Sequence, residues 1–187
     1  MVQNIWKDGV FGLIVGDALG VPVEFSSREE CEHNPVIGMR AYGTHNQPAG
    51  TWSDDSSMTL ATLDSIKQKG KIDYKDLMDK FTEWCLYADY TPFHEVFDIG
   101  VATSRAIIQY GKGTDPIDCG GKTEWDNGNG SLMRILPVCL YLYNRQKMIC
   151  TSENESIYMI HNVSALTHAH LRSQIACGIY YFMVKSV

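Results

Sequence analysis

DYKDLMDKFTEWCLYA, residues 73–88, decides the fold class. Leu77, Phe81, Trp84 and Ala88 fall at i, i+4, i+7 and i+11, one stripe of a helix, while Lys75, Asp79 and Glu83 occupy the opposite side. Asp73 stands where an N-cap belongs, its carboxylate able to accept from the free N–H groups of the first turn. The same period recurs on both sides. Toward the N-terminus a helix is expected from Asp55 or Ser56 to Lys69, stopped by Gly70, and another from Ile5 to about Leu19, ended by Pro22. Toward the C-terminus, helices are expected over Ile99–Tyr110, over Ser131–Asn144 and after a Ser152/Glu155 capping box. A last helix opens at His168 or Ala169 and carries Ile175, Ile179, Tyr180, Phe182 and Met183, more apolar surface than one neighbour covers. Residues 34–51 are rich in Gly and Pro, have no helical period, and read as a long loop of the kind that often carries function. No segment alternates with period two. The expected class is all-α, arranged as a single domain over residues 1–187.

Composition narrows the function. The net charge of −6 gives nucleic acid and anionic membrane surfaces no reason to bind. Met1–Asp8 lacks a basic stretch followed by an apolar run, and Ile135–Tyr143, the most apolar stretch, is too short to span a bilayer, so a cytoplasmic protein is expected. Cys31, Cys85, Cys119, Cys139, Cys150 and Cys177 form no Cys-x-x-Cys pair and read as reduced core thiols.

Four local patterns carry chemistry. Trp52-Ser53-Asp54-Asp55-Ser56 puts a hydroxyl and two carboxylates just ahead of a helix. That is either a helix cap or a set of hard oxygen ligands suited to Mg²⁺ or Mn²⁺. In Gly16-Asp17-Ala18-Leu19-Gly20-Val21-Pro22-Val23-Glu24, Asp17 lies in an apolar helix and needs a partner, expected in the loop that follows, while Glu24 lies past the proline and is free to act in a site. Asn129-Gly130-Ser131-Leu132-Met133-Arg134 is a glycine turn ahead of a helix, either a simple cap or an anion cradle. Thr167-His168-Ala169-His170 reads as a capping Thr with one His lining a pocket and one on the surface, since i and i+2 face apart on a helix.

Taken in order, GDALGVPVEF, GTWSDDSSMTLATLDSI, NGNGSLMRILPV and THAH, with Phe97–Arg105 between them, resemble the motif set of the ADP-ribosylglycohydrolases. The resemblance implies a compact all-helical fold around two Mg²⁺ or Mn²⁺ ions. It implies hydrolysis of the bond between ADP-ribose and a protein side chain, or within a small ADP-ribosyl compound. By motif match it makes Ser53, Asp54 and Asp55 metal ligands, and Glu24 and Asp98 the catalytic carboxylates. Asn129, Gly130 and Ser131 would bind substrate, the last two at the diphosphate, and His168 would line the ADP-ribose pocket.

The family completes its metal site with a C-terminal Asp-x-Asp-Thr motif, and no aspartate follows Asp126 in this chain. The expectation is an N-terminal portion that alone binds metal weakly and hydrolyses little, the remaining ligands coming from sequence beyond it or from a second chain. A non-catalytic ADP-ribose-binding module, a relic fragment and a two-metal phosphohydrolase on a helical bundle stand as alternatives.

Overall fold

The computed structural model describes residues 4–149 and 152–186; Cys150, among the cysteines read above, lies outside them. Its helices are α1 (Ile5–Gly20), α2 (Arg28–His33), α3 (Asp54–Lys69), α4 (Tyr74–Tyr87), α5 (Val101–Gly111), α6 (Leu136–Ile149), α7 (Glu153–Ala165) and α8 (Leu171–Lys185). The all-α class holds: among the described residues the sole β feature is one isolated bridge between Gly121 and His168.

α4 forms as its period requires. Asp73 accepts from the Asp76 N–H, and Leu77, Met78, Phe81 and Trp84 are buried, each such side chain contributing about 1.5–3 kcal/mol. Ala88 does not extend the helix. It takes the left-handed C-cap position at φ 58°, as Gly70 does for α3 at φ 65°. α4 packs on α3, α3 on α1 and α6, and α6 on α8, around a core that includes Met58, Phe81, Trp84, Ile135, Leu142 and Leu166.

Three boundaries depart from expectation. α2 was not anticipated, although Ser27 and Glu30 make a reciprocal capping box for it. α6 starts at Leu136, not Ser131, because Pro137 has no N–H to give to the preceding turn and suits the first turn of a helix. α8 starts at Leu171, with His170 as its N-cap accepting from Arg172 N–H, so Thr167 is not the cap.

Buried Cys119, Cys139 and Cys177 and half-buried Cys31 and Cys85 are free thiols. On α8, Cys177 and Tyr181 face the core, while Ile175, Ile179, Phe182 and Met183 stand exposed on the other side. No helix among the described residues is long and apolar enough to cross a membrane.

Candidate functional site

The site begins where α1 meets the first turn of α3. Asp17, near the C-terminal end of α1, takes its partners from the start of α3 rather than from the loop directly after it. Its Oδ2 accepts from the Ser53 and Ser56 N–H groups, both at 3.0 Å, and from the Ser56 hydroxyl at 2.6 Å; its Oδ1 accepts from the Ser53 hydroxyl at 2.7 Å. Ser53 is the N-cap of α3 and accepts from Asp55 N–H at 3.3 Å. The cap and ligand readings of this segment are therefore compatible: the capping is done by Ser53 and a remote aspartate, and Asp54 and Asp55 carry their carboxyls to the cavity.

That cavity has two adjoining lobes, both bordered by Glu24, Asp55, Asp98 and Asn129. The first is acidic and also lined by Asp17 and Ser53. Burial, then repulsion from Asp55, Asp98 and Asp17, pushes Asp54 up to about 8; burial, then Asp17, Glu24 and Asp98, pushes Asp55 up to about 6. Asp98, held at φ 58°, is raised by burial and then by Glu24. Carboxylates crowded this way need protons or a cation among them.

Glu24 is fixed by the long loop. His45 Nε2 lies 2.6 Å from Glu24 Oε2 and 4.0 Å from Asp98 Oδ2, and the His45 ring sits 5.2 Å from that of Phe97. The Thr44 hydroxyl donates to the Glu24 carbonyl at 2.6 Å. Gly43 packs so closely that a Cβ there would collide with the Pro22 carbonyl. Glu24, His45 and Asp98 bring ligand atoms within 4.8 Å of one another, a group able to hold a metal ion. His45 was not among the residues singled out from the sequence as site groups; a lone histidine in a Gly/Pro-rich loop was the available signal.

The second lobe presents donors. Gly100, Val101, Ala102 and Thr103, the start of α5, line it. No side chain caps that helix, and the buried Thr103 hydroxyl has no hydrogen-bond partner. His168 lies opposite, beside Gly128 and Gly130. A Cβ on Gly130 would press into the His168 ring and within 3.1 Å of Thr103 Oγ1, so glycine keeps this lobe open.

His168 is set by a buried relay. Arg134, wholly buried over the Phe81 ring, donates to Gly130 O, Val163 O and, at 2.8 Å, Thr167 Oγ1. The Thr167 hydroxyl is then free to donate to His168 Nδ1, 2.8 Å away, which leaves the imidazole proton on Nε2. Burial, then Arg134, pushes His168 down to about 4, so the ring is neutral at pH 7. Burial also lowers Arg134, to about 10, which leaves it charged.

Of the residues expected in the site, Glu24, Ser53, Asp54, Asp55, Asp98, Asn129, Gly130 and His168 converge on this cavity. Ser131 does not: its hydroxyl is buried against Ser164 Oγ at 2.8 Å and Cys177 Sγ at 3.6 Å, because residues 131–134 turn inward instead of starting a helix. Asp17, His45, Thr103 and Arg134 organise the site and were missed in that role.

The ADP-ribosylglycohydrolase family model matches residues 4–187. The chain is 30% identical over 165 residues to the ADP-ribosylarginine hydrolase Tri1 of Pseudomonas putida (strain GB-1), covering 87% of this chain and 41% of that protein. It is 33% identical over 141 residues to the ADP-ribosyl-[dinitrogen reductase] glycohydrolase of Rhodospirillum rubrum, covering 69% and 42%. A solved structure described as an ADP-ribosylglycohydrolase-related protein complex superposes with a TM-score of 0.73 at 30% identity, over 95% of this chain and 53% of that one. The chain thus spans about half the length, or less, of the proteins it matches. With the motifs, the helical fold and the match over nearly its full length in agreement, the chain belongs to the ADP-ribosylglycohydrolase family.

Proposed function

We propose that this chain supplies the cation-binding and diphosphate-binding halves of a site that hydrolyses the bond between ADP-ribose and a modified side chain, arginine being the acceptor suggested by the relatives' names. One observation carries the reading: five carboxylates and a serine hydroxyl meet a set of hydrogen-bond donors in a single cavity.

The donor set fits Mg²⁺ or Mn²⁺. Ser53, Asp54 and Asp55 offer hard oxygen atoms, and their crowding is relieved by positive charge. When bound, a divalent ion supplies fixed positive charge that orients ribose hydroxyls and makes a water more acidic. The protein's own groups do the rest. Glu24, steadied by His45, accepts a proton from the attacking water, and Asp98, its carboxyl raised by burial and then by Glu24, assists proton transfer at the leaving group; such groups contribute about 10²–10⁴-fold each. The free N–H groups at the start of α5, the Thr103 hydroxyl and His168 Nε2–H hold the diphosphate, a role that Ser131 cannot fill from its buried position.

Calorimetric titration with ADP-ribose in the presence and absence of Mn²⁺ tests this. The chain is expected to bind both, with Asp55→Asn weakening Mn²⁺ at least tenfold. A chain that binds neither overturns the reading. ADP-ribose binding without release of ADP-ribose from ADP-ribosylarginine favours the non-catalytic module.

A further inference from the structure

We propose that Asp17 is a positioning residue of the acidic lobe, one that fixes the direction in which the Ser53 hydroxyl points and thereby makes it a cation ligand. The inference rests on the reading that Ser53, Asp54 and Asp55 hold a divalent ion.

An α-helix leaves its first N–H groups without intrahelical partners, and the side chain of the N-cap residue ordinarily satisfies one of them. In α3 that demand is met jointly by the N-cap Ser53 and, from outside the helix, by Asp17. Asp17 takes the N–H groups of Ser53 and Ser56, and Ser53 Oγ takes that of Asp55. Asp54 and Asp55 are released from capping and line the cavity instead.

The second consequence concerns polarity. A serine hydroxyl has one proton and two lone pairs, and it can ligate a cation only through a lone pair. Asp17 Oδ1, 2.7 Å from Ser53 Oγ against 3.5 Å for Asp55 Oδ2, takes the hydroxyl proton. One lone pair faces Asp55 N–H, and the other is left for the cavity that Ser53 lines. The arrangement is built, since three donors converge on Oδ2 and lock the carboxylate plane.

Asp17→Asn separates this role from packing. The amide oxygen keeps the three donors now on Oδ2, and the NH₂ group replaces Oδ1. It then donates to Ser53 Oγ, consumes the free lone pair and turns the hydroxyl proton toward the cation. Mn²⁺ titration of the 187-residue chain, followed by the electron paramagnetic resonance signal of free Mn²⁺, is expected to show at least tenfold weaker binding in Asp17→Asn with helical circular dichroism retained. Ser53→Ala should weaken binding comparably, and the double variant should be no weaker than Ser53→Ala alone. Wild-type affinity in Asp17→Asn beside a weakened Ser53→Ala overturns the proposal and leaves the cation reading standing. So does full additivity in the double variant. If the wild type binds no Mn²⁺, both fall together. Should Asp17→Asn not fold, Ser56→Ala removes the 2.6 Å anchor on Oδ2 and frees the carboxylate to turn. Several-fold weaker Mn²⁺ binding is then expected, and unchanged affinity overturns the proposal.

Discussion

The two lobes of the cavity solve opposite electrostatic problems with opposite means. The carboxylates gathered at the start of α3, Asp55 on both lobes and Asp54 on the wall of the second, are left under-neutralised and are raised toward neutral pH. The donor lobe gathers N–H and O–H groups at the start of α5 and leaves them without acceptors. The first is backed by Asp17, a carboxylate spent on capping; the second by Arg134, a buried cation spent on backbone carbonyls and Thr167. The start of α3 is thus braced by a negative group and the Gly130–His168 wall of the second lobe by a positive one.

The most damaging way to break this comparison is to remove Arg134. Arg134→Ala strands two carbonyls and a hydroxyl and opens a cavity beside Phe81; thermal or urea unfolding should show a loss of about 3–5 kcal/mol. A loss under 1 kcal/mol would mean that the donor lobe does not depend on that relay.

A smaller effect sharpens the acidic side. Asp54 has its folded-state pKa raised from 3.8 to about 8. Its contribution to stability is therefore fully present below pH 3.8 and is lost as pH rises through about 8. In metal-free buffer Asp54→Asn should be more stable than wild type by roughly 2 kcal/mol or more at pH 8, the difference vanishing near pH 4. Adding Mn²⁺ at pH 8 should stabilise the wild type and not the variant. Melting curves at the two pH values decide it, and equal curves throughout would show that Asp54 is not strained by its neighbours.

The smallest effect falls on the donor side. Thr103→Val keeps shape and removes a hydroxyl that has no partner among the described residues. Stability should hold or rise slightly, while ADP-ribose affinity falls about five- to tenfold, the value of roughly one ordinary hydrogen bond. Unchanged affinity would place the diphosphate elsewhere.

The sequence made the helices legible because their signals are local. Asp73, Gly70 and the Leu77–Phe81–Trp84 stripe act within a few residues of one another, and α3 and α4 lie within a residue or two of where they were expected. α6 starts later than the glycine turn suggests, because Pro137 lacks the N–H that a helix running from Ser131 would need there. Most of the site was legible through motif order, but its organisers were not. Asp17 reaches Ser53 across 36 residues, His45 reaches Glu24 across 21 and Arg134 reaches Thr167 across 33, distances that no periodicity encodes. Ser131 shows the converse error. A serine after glycine at an expected helix start looks like an anion ligand, and with the helix displaced it becomes a core hydroxyl.

The seam between Gly43 and Pro22 has an evolutionary consequence. Residues 36–39 of the long loop stand open to solvent, with Ile37 almost wholly exposed, so lineages can lengthen, shorten or decorate that stretch freely. Four residues later the same loop loses that freedom. A single methyl group at position 43 would push the chain off the Pro22 backbone and carry Thr44 and His45 away from Glu24. Sequence variation is therefore expected to accumulate on the first half of this loop, while the second half drifts only together with the Glu24 turn.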